Sequence, residues 1–438
     1  MKKLLFLMAV FTIALLSSCR SDGGVVPTSG AVTNESAPDV DAIRIWAWDP
    51  NFNLAALEIA NDFFHAIHPD VEVIIEENSQ ADITQQMNIA FAAGTMVGMP
   101  NIVLIENYRA QIFLQPFNDL FYPLDNYINP DDFTQYLIPA TSYGGVQFGV
   151  PFDTGSMGWF VRTDILDQAG FTTDDLWEID WREAIEIGEQ VLEQTGIAMF
   201  SHDLSSINGF VRANMMASGI WYTEEDGNTI NINNNIHITR AFELFRDMVE
   251  TGLIINHSDW AGYLANFNNG NVWSVPQAVW ITPSITLASE QSGNWAVVPY
   301  PSMPGVPNPG NASSHGGSSW YVLNIPGKEV SAEYLAVSFG GSVEFHERLI
   351  TEVGALSVFV PFFDSPVLQE GVGFFGGQPI FQYFTQWANQ IPRFQPGIHT
   401  YLVNDILNVA GVEVLQEGRD IQDALDAAQH HADTQIIN

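Results

Sequence analysis

Short apolar segments alternate with amphipathic segments in the first quarter of this 438-residue chain. Residues 43–48, 71–75 and 102–105 are typical of strands, because their apolar side chains fill the segment or recur on one face. Residues 54–67 and 83–93, which lie between them, carry apolar side chains at helical spacing. Strand, helix, strand, helix and strand in this order predict a parallel sheet with helices on its faces, and therefore an α/β fold.

The carboxyl ends of the predicted strands carry the first candidate binding residues. Ligands of open α/β sheets bind beyond these ends. Trp48 and Asp49 end the first strand, and Glu106 and Asn107 end the third. Trp46 and Trp48 share one face of the strand, so both could belong to the core. We favour Trp48 for the binding site because it lies nearer the strand end.

The N-terminus has the pattern of a secretory signal. Lys2 and Lys3 precede an apolar stretch over residues 4–16, which at 13 residues is too short to cross a bilayer comfortably. Cys19, the only cysteine of the chain, follows two serines. This arrangement resembles the lipobox of bacterial lipoproteins, where the peptide is cut before the cysteine and the thiol is acylated. The alternative is an ordinary signal peptide with a cysteine nearby by chance.

The lipobox resemblance divides the N-terminal region in two. It implies a signal peptide over residues 1–18 and a lipid on Cys19 that anchors the protein to the membrane on its extracytoplasmic side. Residues 19–41 are rich in Ser, Gly, Thr, Pro and Val without periodicity, which is typical of a flexible tether. No disulfide is expected, because the only cysteine carries the lipid.

The charge balance of the chain excludes one class of partner. The formal net charge is −37, because 51 acidic residues stand against 14 Lys and Arg. Lys328 is the only lysine left after cleavage before Cys19. Binding to nucleic acid needs clustered Lys and Arg, so no nucleic-acid partner is expected. A lysine-poor acidic exterior suits a saline or alkaline medium, which is a hypothesis about habitat.

Helical patterns return in the rest of the chain. Residues 181–192, 239–249 and 332–339 carry apolar side chains at helical spacing. Two more helices are expected at the C-terminus, the first ending at Gly418 and the second running through residues 421–428.

A motif in residues 145–170 resembles the signature of the family 1 extracellular solute-binding proteins, the capture subunits of ABC importers for sugars and oligosaccharides. The matching positions are Phe148, Gly149, Pro151, Asp153, Asp164, Ala169 and Gly170. The chain departs from the family pattern at Arg162-Thr163, where Asn-Lys is usual, so no role is carried over for that pair.

Four weaker matches to the same family occur in the family's order. They lie at residues 92–103, 295–301, 316–322 and 423–428. With the motif at 145–170, these matches cover nearly all of residues 43–430. The resemblance implies a two-lobed periplasmic-binding-protein type II fold of the α/β class, with the ligand held in a cleft between lobes that close by a hinge motion.

The resemblance also implies lobe boundaries. Three crossing segments are expected near Pro151, Pro299 and Pro361. Lobe 1 would then consist of residues 42–151 and 299–350, and lobe 2 of residues 152–298 and 351–438.

The chemistry of sugars selects further candidate residues. A neutral sugar offers hydroxyl groups and apolar C–H faces, so its site needs aromatic plates and hydrogen-bonding side chains. Trp260 and Trp280 flank an Asn-rich stretch, and Trp320 follows Gly317, where a ligand could approach the backbone. Asp153 lies at the first crossing, where it could instead cap the backbone. We therefore expect ligand contacts at Trp260, Trp280, Gly317, Trp320 and Asp153, with loss of affinity but not of folding when Trp320 is replaced by alanine.

These observations predict a lipid-anchored, monomeric protein that captures a carbohydrate and delivers it to the transmembrane subunits of an ABC permease. No catalytic residue, cofactor or metal is expected. Three alternatives stay open: a binding protein for a non-sugar solute such as a ferric ion or a phosphate ester, a sensor that docks on a receptor, and a secreted glycoside hydrolase with two carboxylates. The serine-hydrolase, zinc-protease and P-loop motifs that would indicate other enzymes do not occur in the sequence.

Overall fold

The computed structural model describes residues 40–224, 226–394 and 396–436. Cys19, the signal segment and most of the predicted tether lie outside these residues. The twelve strands of the described residues are β1 Ala42–Ala47, β2 Glu72–Glu77, β3 Ile102–Glu106, β4 Ser142–Tyr143, β5 Val146–Gln147, β6 Gly149–Pro151, β7 Met157–Arg162, β8 Phe200–His202, β9 Ile254–Asn256, β10 Ser274–Ala278, β11 Trp295–Val298 and β12 Ser318–Val322.

The same residues form fifteen α-helices, joined by short 3-10 and π turns. The helices are α1 Ala55–His65, α2 Gln80–Ala92, α3 Ala110–Phe117, α4 Ile138–Thr141, α5 Thr163–Ala169, α6 Trp181–Thr195, α7 Asn208–Ala217, α8 Ile236–Glu250, α9 Trp260–Asn268, α10 Thr282–Thr286, α11 Lys328–Val337, α12 Val343–Arg348, α13 Ile380–Gln390, α14 Thr400–Glu417 and α15 Ile421–Ile436.

Lobe 1 is built on a five-stranded sheet with the order β2-β1-β3-β12-β6. β1 pairs with β2 and β3 in parallel, so the parallel sheet predicted from the alternating pattern is confirmed. β12 returns much later in the chain and pairs antiparallel with both β3 and β6. β3 lies at the centre of the sheet, and its first four residues are buried. Its carboxyl end therefore lies on a rigid, fully packed strand.

Lobe 2 is built on a smaller antiparallel sheet in which β7 lies between β10 and β11. β8 and β9 form a separate parallel pair beside it. Helices cover these strands, and α14 and α15 pack on each other and on α8. The core of this lobe is rich in aromatic side chains, with Trp159, Trp181 and Trp273 all fully buried.

Local signals set the ends of several helices. Asp180 precedes α6, and its carboxylate accepts hydrogen bonds from two backbone N–H groups of the first turn while Glu183 reaches back to the Asp180 N–H. This reciprocal arrangement satisfies amides that a helix start leaves without partners. Gly196 and Gly418 end α6 and α14 in the left-handed conformation that glycine adopts without strain. All the helices expected from the sequence are present.

Two chain segments run antiparallel between the lobes. Residues 152–157 lead from β6 into β7, and residues 313–318 lead back into β12. The His315 N–H donates to the Gly155 carbonyl at 2.7 Å, and the Met157 N–H donates to the Ser313 carbonyl at 2.9 Å. A Cβ atom on Gly155 would lie 2.4 Å from the His315 carbonyl oxygen, so only glycine allows this close approach.

The second crossing differs from the one expected near Pro299. Ser302 exchanges backbone hydrogen bonds with Ile179 and Trp181, and the Asn311 side chain donates to the Ile179 carbonyl. Residues 299–312 therefore contact lobe 2, whereas the boundaries expected from the sequence placed them in lobe 1. The expected crossing rested on the proline-rich turn after β11. The chain turns out of the sheet there, but it stays in the same lobe.

The third crossing comes later than the predicted end of lobe 1 at residue 350. The Val358 carbonyl accepts from the Thr134 N–H, and Phe359 pairs with Phe133, so these residues still contact lobe 1. Ser357 also forms a bridge with Asp153. The third crossing thus passes directly beside the first, which gathers the connections between the lobes in one place.

Candidate functional site

A cavity of about 360 Å³ lies in lobe 2 beside the first two crossing segments. Met157 and His315 of those segments close one side of it. Polar and aromatic side chains line it: Phe200, Ser201, His202, Asp203, Ser206, Asn208, Phe210, Arg212, His257, Trp260, Tyr263, Gln277, Tyr300 and His315. We call this space, with these residues around it, the crossing cavity. Its size and its mixture of aromatic and polar walls suit a small hydroxylated ligand.

Arg212 is the most unusual side chain of the crossing cavity. It lies on α7 and is only 8% exposed, yet it makes no hydrogen bond or ion pair with any residue that the structure describes. Its guanidinium group lies 4.5 Å from the centroid of the Tyr108 ring. A buried cation normally has its donors satisfied, because leaving them unpaired costs free energy. The Arg212 donors are therefore available to a ligand.

Tyr108 brings the end of β3 to this cavity. Its hydroxyl donates to the Ser314 carbonyl at 3.3 Å and accepts from the Gly316 N–H at 3.2 Å. Its ring stacks on Trp221 of lobe 2 with centroids 5.6 Å apart. Tyr108 thus holds lobe 1, the second crossing and lobe 2 together next to Arg212.

Glu106 makes a second contact between the lobes. Its carboxylate accepts a hydrogen bond from the hydroxyl of Tyr401 on α14, and the Arg109 guanidinium lies 3.8 Å from the centre of the Tyr401 ring. Burial raises the pKa of Glu106, although Arg212 and Arg109 oppose the shift. The sequence predicted a ligand contact here, whereas the structure gives Glu106 a partner from the opposite lobe.

Asn107 and Gly317 pack against each other at the second crossing. The Asn107 N–H donates to the Gly317 carbonyl at 3.1 Å, and its side-chain oxygen accepts from the Ser319 hydroxyl at 2.6 Å. Gly317 has φ +90°, and a Cβ there would lie 2.9 Å from the Asn107 side-chain nitrogen. Neither residue lines the crossing cavity. Their contacts fix the path of the crossing segment where it enters β12.

Asp153 ties the first crossing to β12. Its Oδ1 accepts from the backbone N–H of Ser318 at 2.6 Å and from the Ser318 hydroxyl at 2.8 Å. Burial raises the pKa of Asp153 to about 6, against the lowering effect of these hydrogen bonds. The alternative that Asp153 caps the crossing therefore describes its contacts better than a role as a ligand residue.

The raised pKa of Asp153 predicts a pH-dependent stability. Between about pH 4 and pH 6 the folded protein holds a proton here that the unfolded chain releases, so stability falls as pH rises through this window. Asp153→Asn removes this dependence and keeps the acceptor. We expect the free energy of unfolding of the variant, relative to that of the wild type, to rise by about 3 kcal/mol between pH 4 and pH 7. Calorimetric unfolding at several pH values measures this difference.

Asp175→Asn is the control for that comparison. Asp175 is exposed, and its hydrogen bonds from Thr172 lower its pKa, so its contribution to stability has the opposite sign. Parallel stability profiles for wild type and Asp153→Asn would contradict the burial of a carboxylate at the crossing.

Trp260 and Trp280 form an aromatic wall at the crossing cavity. Trp260 lines the cavity and is 53% exposed, and its ring centroid lies 6.2 Å from that of Trp280. The Trp280 indole N–H donates to the His315 carbonyl at 2.8 Å, which places this ring behind the second crossing. Trp260 therefore presents a free apolar face, while Trp280 supports it.

Trp260→Ala is expected to weaken ligand binding about 5- to 30-fold, because the stacking surface is lost, with little change in stability. Trp177→Ala is the matched control, since Trp177 is also exposed (41%) but packs against Tyr383 away from the cavity. Affinities from isothermal titration calorimetry compare the two. Equal affinities for both variants would remove Trp260 from the site.

Trp320 lies in the core and does not line the crossing cavity, so the structure does not support the ligand contact predicted from the sequence. Its side chain is fully buried on β12 and packs against Phe152 and Phe339, with ring centroids 5.6 and 5.4 Å away. On a strand, side chains alternate between the two faces of the sheet. The glycines before Trp320 suggested that a ligand could approach the backbone there. The alternation of side chains along β12, however, places the Trp320 indole in the core.

Trp48 and Asp49 lie at the end of β1, away from the crossing cavity. The Trp48 carbonyl accepts from the Asn53 side chain at 2.9 Å, and its ring packs partly on the core. Asp49 has φ +61°, and its carbonyl accepts from the N–H groups that begin the next turn. The structure gives both residues a part in the turn after β1, and their role in ligand binding stays a prediction.

Sequence reasoning missed Arg212, Tyr108 and the cavity histidines. Tyr108 could have been found, since it directly follows Asn107 at a strand end. His202 similarly ends β8. Arg212 gave no signal, because its neighbours in the sequence are ordinary helix residues and only the fold carries it to the cavity.

A second cavity, of about 590 Å³, is lined in part by Trp221. Among its polar side chains, Asn231 donates to the Glu224 carboxylate and Asn235 donates to the Trp221 carbonyl, while the buried Thr223 hydroxyl has no partner among the described residues. The crossing cavity is smaller, but its unpaired guanidinium makes it the stronger candidate.

The fold and the site define a two-lobed α/β protein with a polar, aromatic-walled cavity at the segments that join the lobes. Comparison with known proteins identifies the family. A profile of the bacterial extracellular solute-binding proteins matches residues 58–339. The chain belongs to this family, whose members act outside the cytoplasm. No helix in the described part of the chain is long and apolar enough to cross a membrane.

Two relatives and one solved structure show how far the similarity extends. The chain is 33% identical to a lactose-binding protein of Rhizobium radiobacter over 93% of this chain and 96% of the relative. It is 24% identical to an arabinooligosaccharide-binding protein of Halalkalibacterium halodurans over 78% of each.

The galacto-N-biose-/lacto-N-biose I-binding protein of a Bifidobacterium longum ABC transporter has a similar structure. The TM-score is 0.73 at 18% identity, over 91% of this chain and 98% of that one. The type II periplasmic-binding-protein fold predicted from the sequence is therefore confirmed.

Proposed function

We propose that this protein captures a carbohydrate in the crossing cavity by closure of its two lobes and delivers it to an ABC import permease. The observation that carries the proposal is the buried guanidinium of Arg212, which has no hydrogen-bond partner among the described residues and lies with Trp260 on one cavity. A planar donor group beside an aromatic plate matches the hydroxyl groups and the apolar face of a sugar ring.

The relatives support the carbohydrate class. Both curated relatives are named for sugars, lactose in one and arabino-oligosaccharides in the other. Binding does not change any bond of the ligand, so we propose no catalytic role.

Closure of the lobes is supported by the contacts that join them. Tyr108 stacks on Trp221, and Glu106 accepts from Tyr401, so residues at the end of β3 contact two different parts of lobe 2. All three connections between the lobes pass close to Asp153, which makes this region the natural hinge.

The anchoring of the protein is also a proposal. The lipobox-like sequence at Cys19 suits a lipid anchor that holds a monomeric capture subunit close to its permease. Metabolic labelling with a fatty-acid analogue tests this, and Cys19→Ser is expected to remove the label and release the protein from the membrane.

A thermal-shift screen against mono- and oligosaccharides tests the carbohydrate class. A ligand at 100 times its dissociation constant adds about 2.7 kcal/mol of stability, enough to raise the melting temperature measurably. A shift with one glycan class supports the proposal. No shift with any glycan, together with a shift from a phosphate ester or a metal ion, would move the assignment to a non-sugar solute.

A further inference from the structure

Two histidines of the crossing cavity have their tautomers fixed by their neighbours. His202 ends β8, and its Nδ1 lies 2.9 Å from the backbone carbonyl of Asp203. A carbonyl oxygen only accepts hydrogen bonds, so the proton of the neutral ring must be on Nδ1. The Nε2 atom then has a lone pair, and it has no hydrogen-bond partner among the residues that the structure describes.

Burial keeps the His202 ring neutral. It lowers the pKa of His202 to about 4, and the nearby His257 acts in the same direction. The edge of α7 lies against the ring, since a Cβ on Gly209 would be 3.9 Å from His202 Nε2 and 3.8 Å from His315 Cε1. Nε2 therefore lies beside the start of α7, near His315, and both histidines line the cavity with Arg212.

A hydrogen-bonded chain fixes the other tautomer. The Asn271 amide donates to Asn266 Oδ1 at 3.3 Å, which orients the Asn266 amide to donate to the Ser201 hydroxyl at 2.8 Å. Ser201 Oγ lies 2.8 Å from His257 Nδ1 and is buried, so its own hydrogen has His257 as its partner. The neutral His257 ring then carries its proton on Nε2, and it presents a donor.

We infer that the crossing cavity takes a neutral sugar that donates a hydroxyl hydrogen to His202 Nε2 and accepts from His257 Nε2 and Arg212. This inference rests on the proposed function and narrows its ligand class. A hydroxyl group both donates and accepts, so a sugar meets all three positions. A carboxylate or a sulfate ion has no hydrogen to give and would face the lone pair of His202.

Imidazole nitrogen NMR tests the tautomers without any ligand. The mature protein is labelled with ¹⁵N-histidine and measured at pH 7, and the signals are assigned by their loss in His202→Gln and His257→Gln. We expect His202 to be protonated on Nδ1 and His257 on Nε2. A proton on Nε2 of His202, or a doubly protonated His202 ring, would overturn the inference even if the protein binds sugars.

The second experiment measures ligand binding, with lactose as the probe. Galactose and galacturonate form a matched pair, because the hydroxymethyl group of galactose is replaced by a carboxylate in galacturonate. We expect wild type to bind lactose at least 10-fold more tightly than His202→Phe does, and galactose more tightly than galacturonate. His65→Phe is the control, since His65 is exposed on α1. Preference for galacturonate would overturn the inference. Absence of binding to every glycan would reject the proposed function. The NMR measurement of the two tautomers would still test the assignment of the hydrogen-bond donors and acceptors.

Discussion

Arg212→Met is expected to weaken carbohydrate binding about 100-fold while the free protein stays folded. The variant removes donors that have no partner among the residues that the structure describes, so the loss falls on the complex. Hydrogen bonds to a charged group contribute about 1.5–3 kcal/mol each, and a 100-fold loss corresponds to about 2.7 kcal/mol. Methionine keeps most of the volume and an apolar contact with Tyr108. Isothermal titration calorimetry gives the affinities, and differential scanning calorimetry gives the stability.

Two variants make this result specific. Arg240→Met removes a guanidinium from α8, where Arg240 pairs with Glu243, and should leave the affinity unchanged. Arg212→Lys keeps the charge but not the planar set of donors, and should recover only part of the affinity. Wild-type affinity in Arg212→Met would show that the crossing cavity is not where the ligand binds.

Trp320→Ala is expected to destabilise the fold by about 3–5 kcal/mol, because it leaves a cavity between Phe152 and Phe339. The affinity for the ligand should stay near that of the wild type when it is measured well below the lowered melting temperature. This outcome reverses the expectation from the sequence, which had Trp320 in the binding site.

Trp260→Ala supplies the opposite pattern, with reduced affinity at nearly unchanged stability, because Trp260 is half-exposed at the cavity wall. The two variants together separate a core tryptophan from a ligand-facing one. A Trp320→Ala protein that melts like the wild type but no longer binds would contradict the structure at β12.

The sequence was sufficient for the architecture because its signals are local. Apolar periodicity located β1, β2 and β3 with the helices between them, and Gly418 marked the end of α14. The boundary expected near Pro299 also rested on a local signal, a turn. A turn is visible in sequence, but whether the chain then leaves the lobe depends on long-range pairing, here between Ser302 and residues 179–181.

The binding site was predicted less well, because it is assembled from distant parts of the chain. Glu106, Asn107, Asp153 and Gly317 do lie together near the crossings, but as contacts that hold the segments in place. Trp260 alone among the predicted residues lines the crossing cavity. The cavity histidines draw their properties from burial and from neighbours such as Asp203, which single-sequence patterns do not reveal.

If the proposed function holds, the protein binds a carbohydrate and leaves it intact, and calorimetric titration measures this binding. The mature protein is titrated with the glycan that gives the largest thermal shift, and the sugar is then recovered and weighed by mass spectrometry. We expect saturation at one site per chain, with the recovered sugar unchanged. No heat of binding with any glycan, or a shortened sugar in the recovered sample, would contradict it.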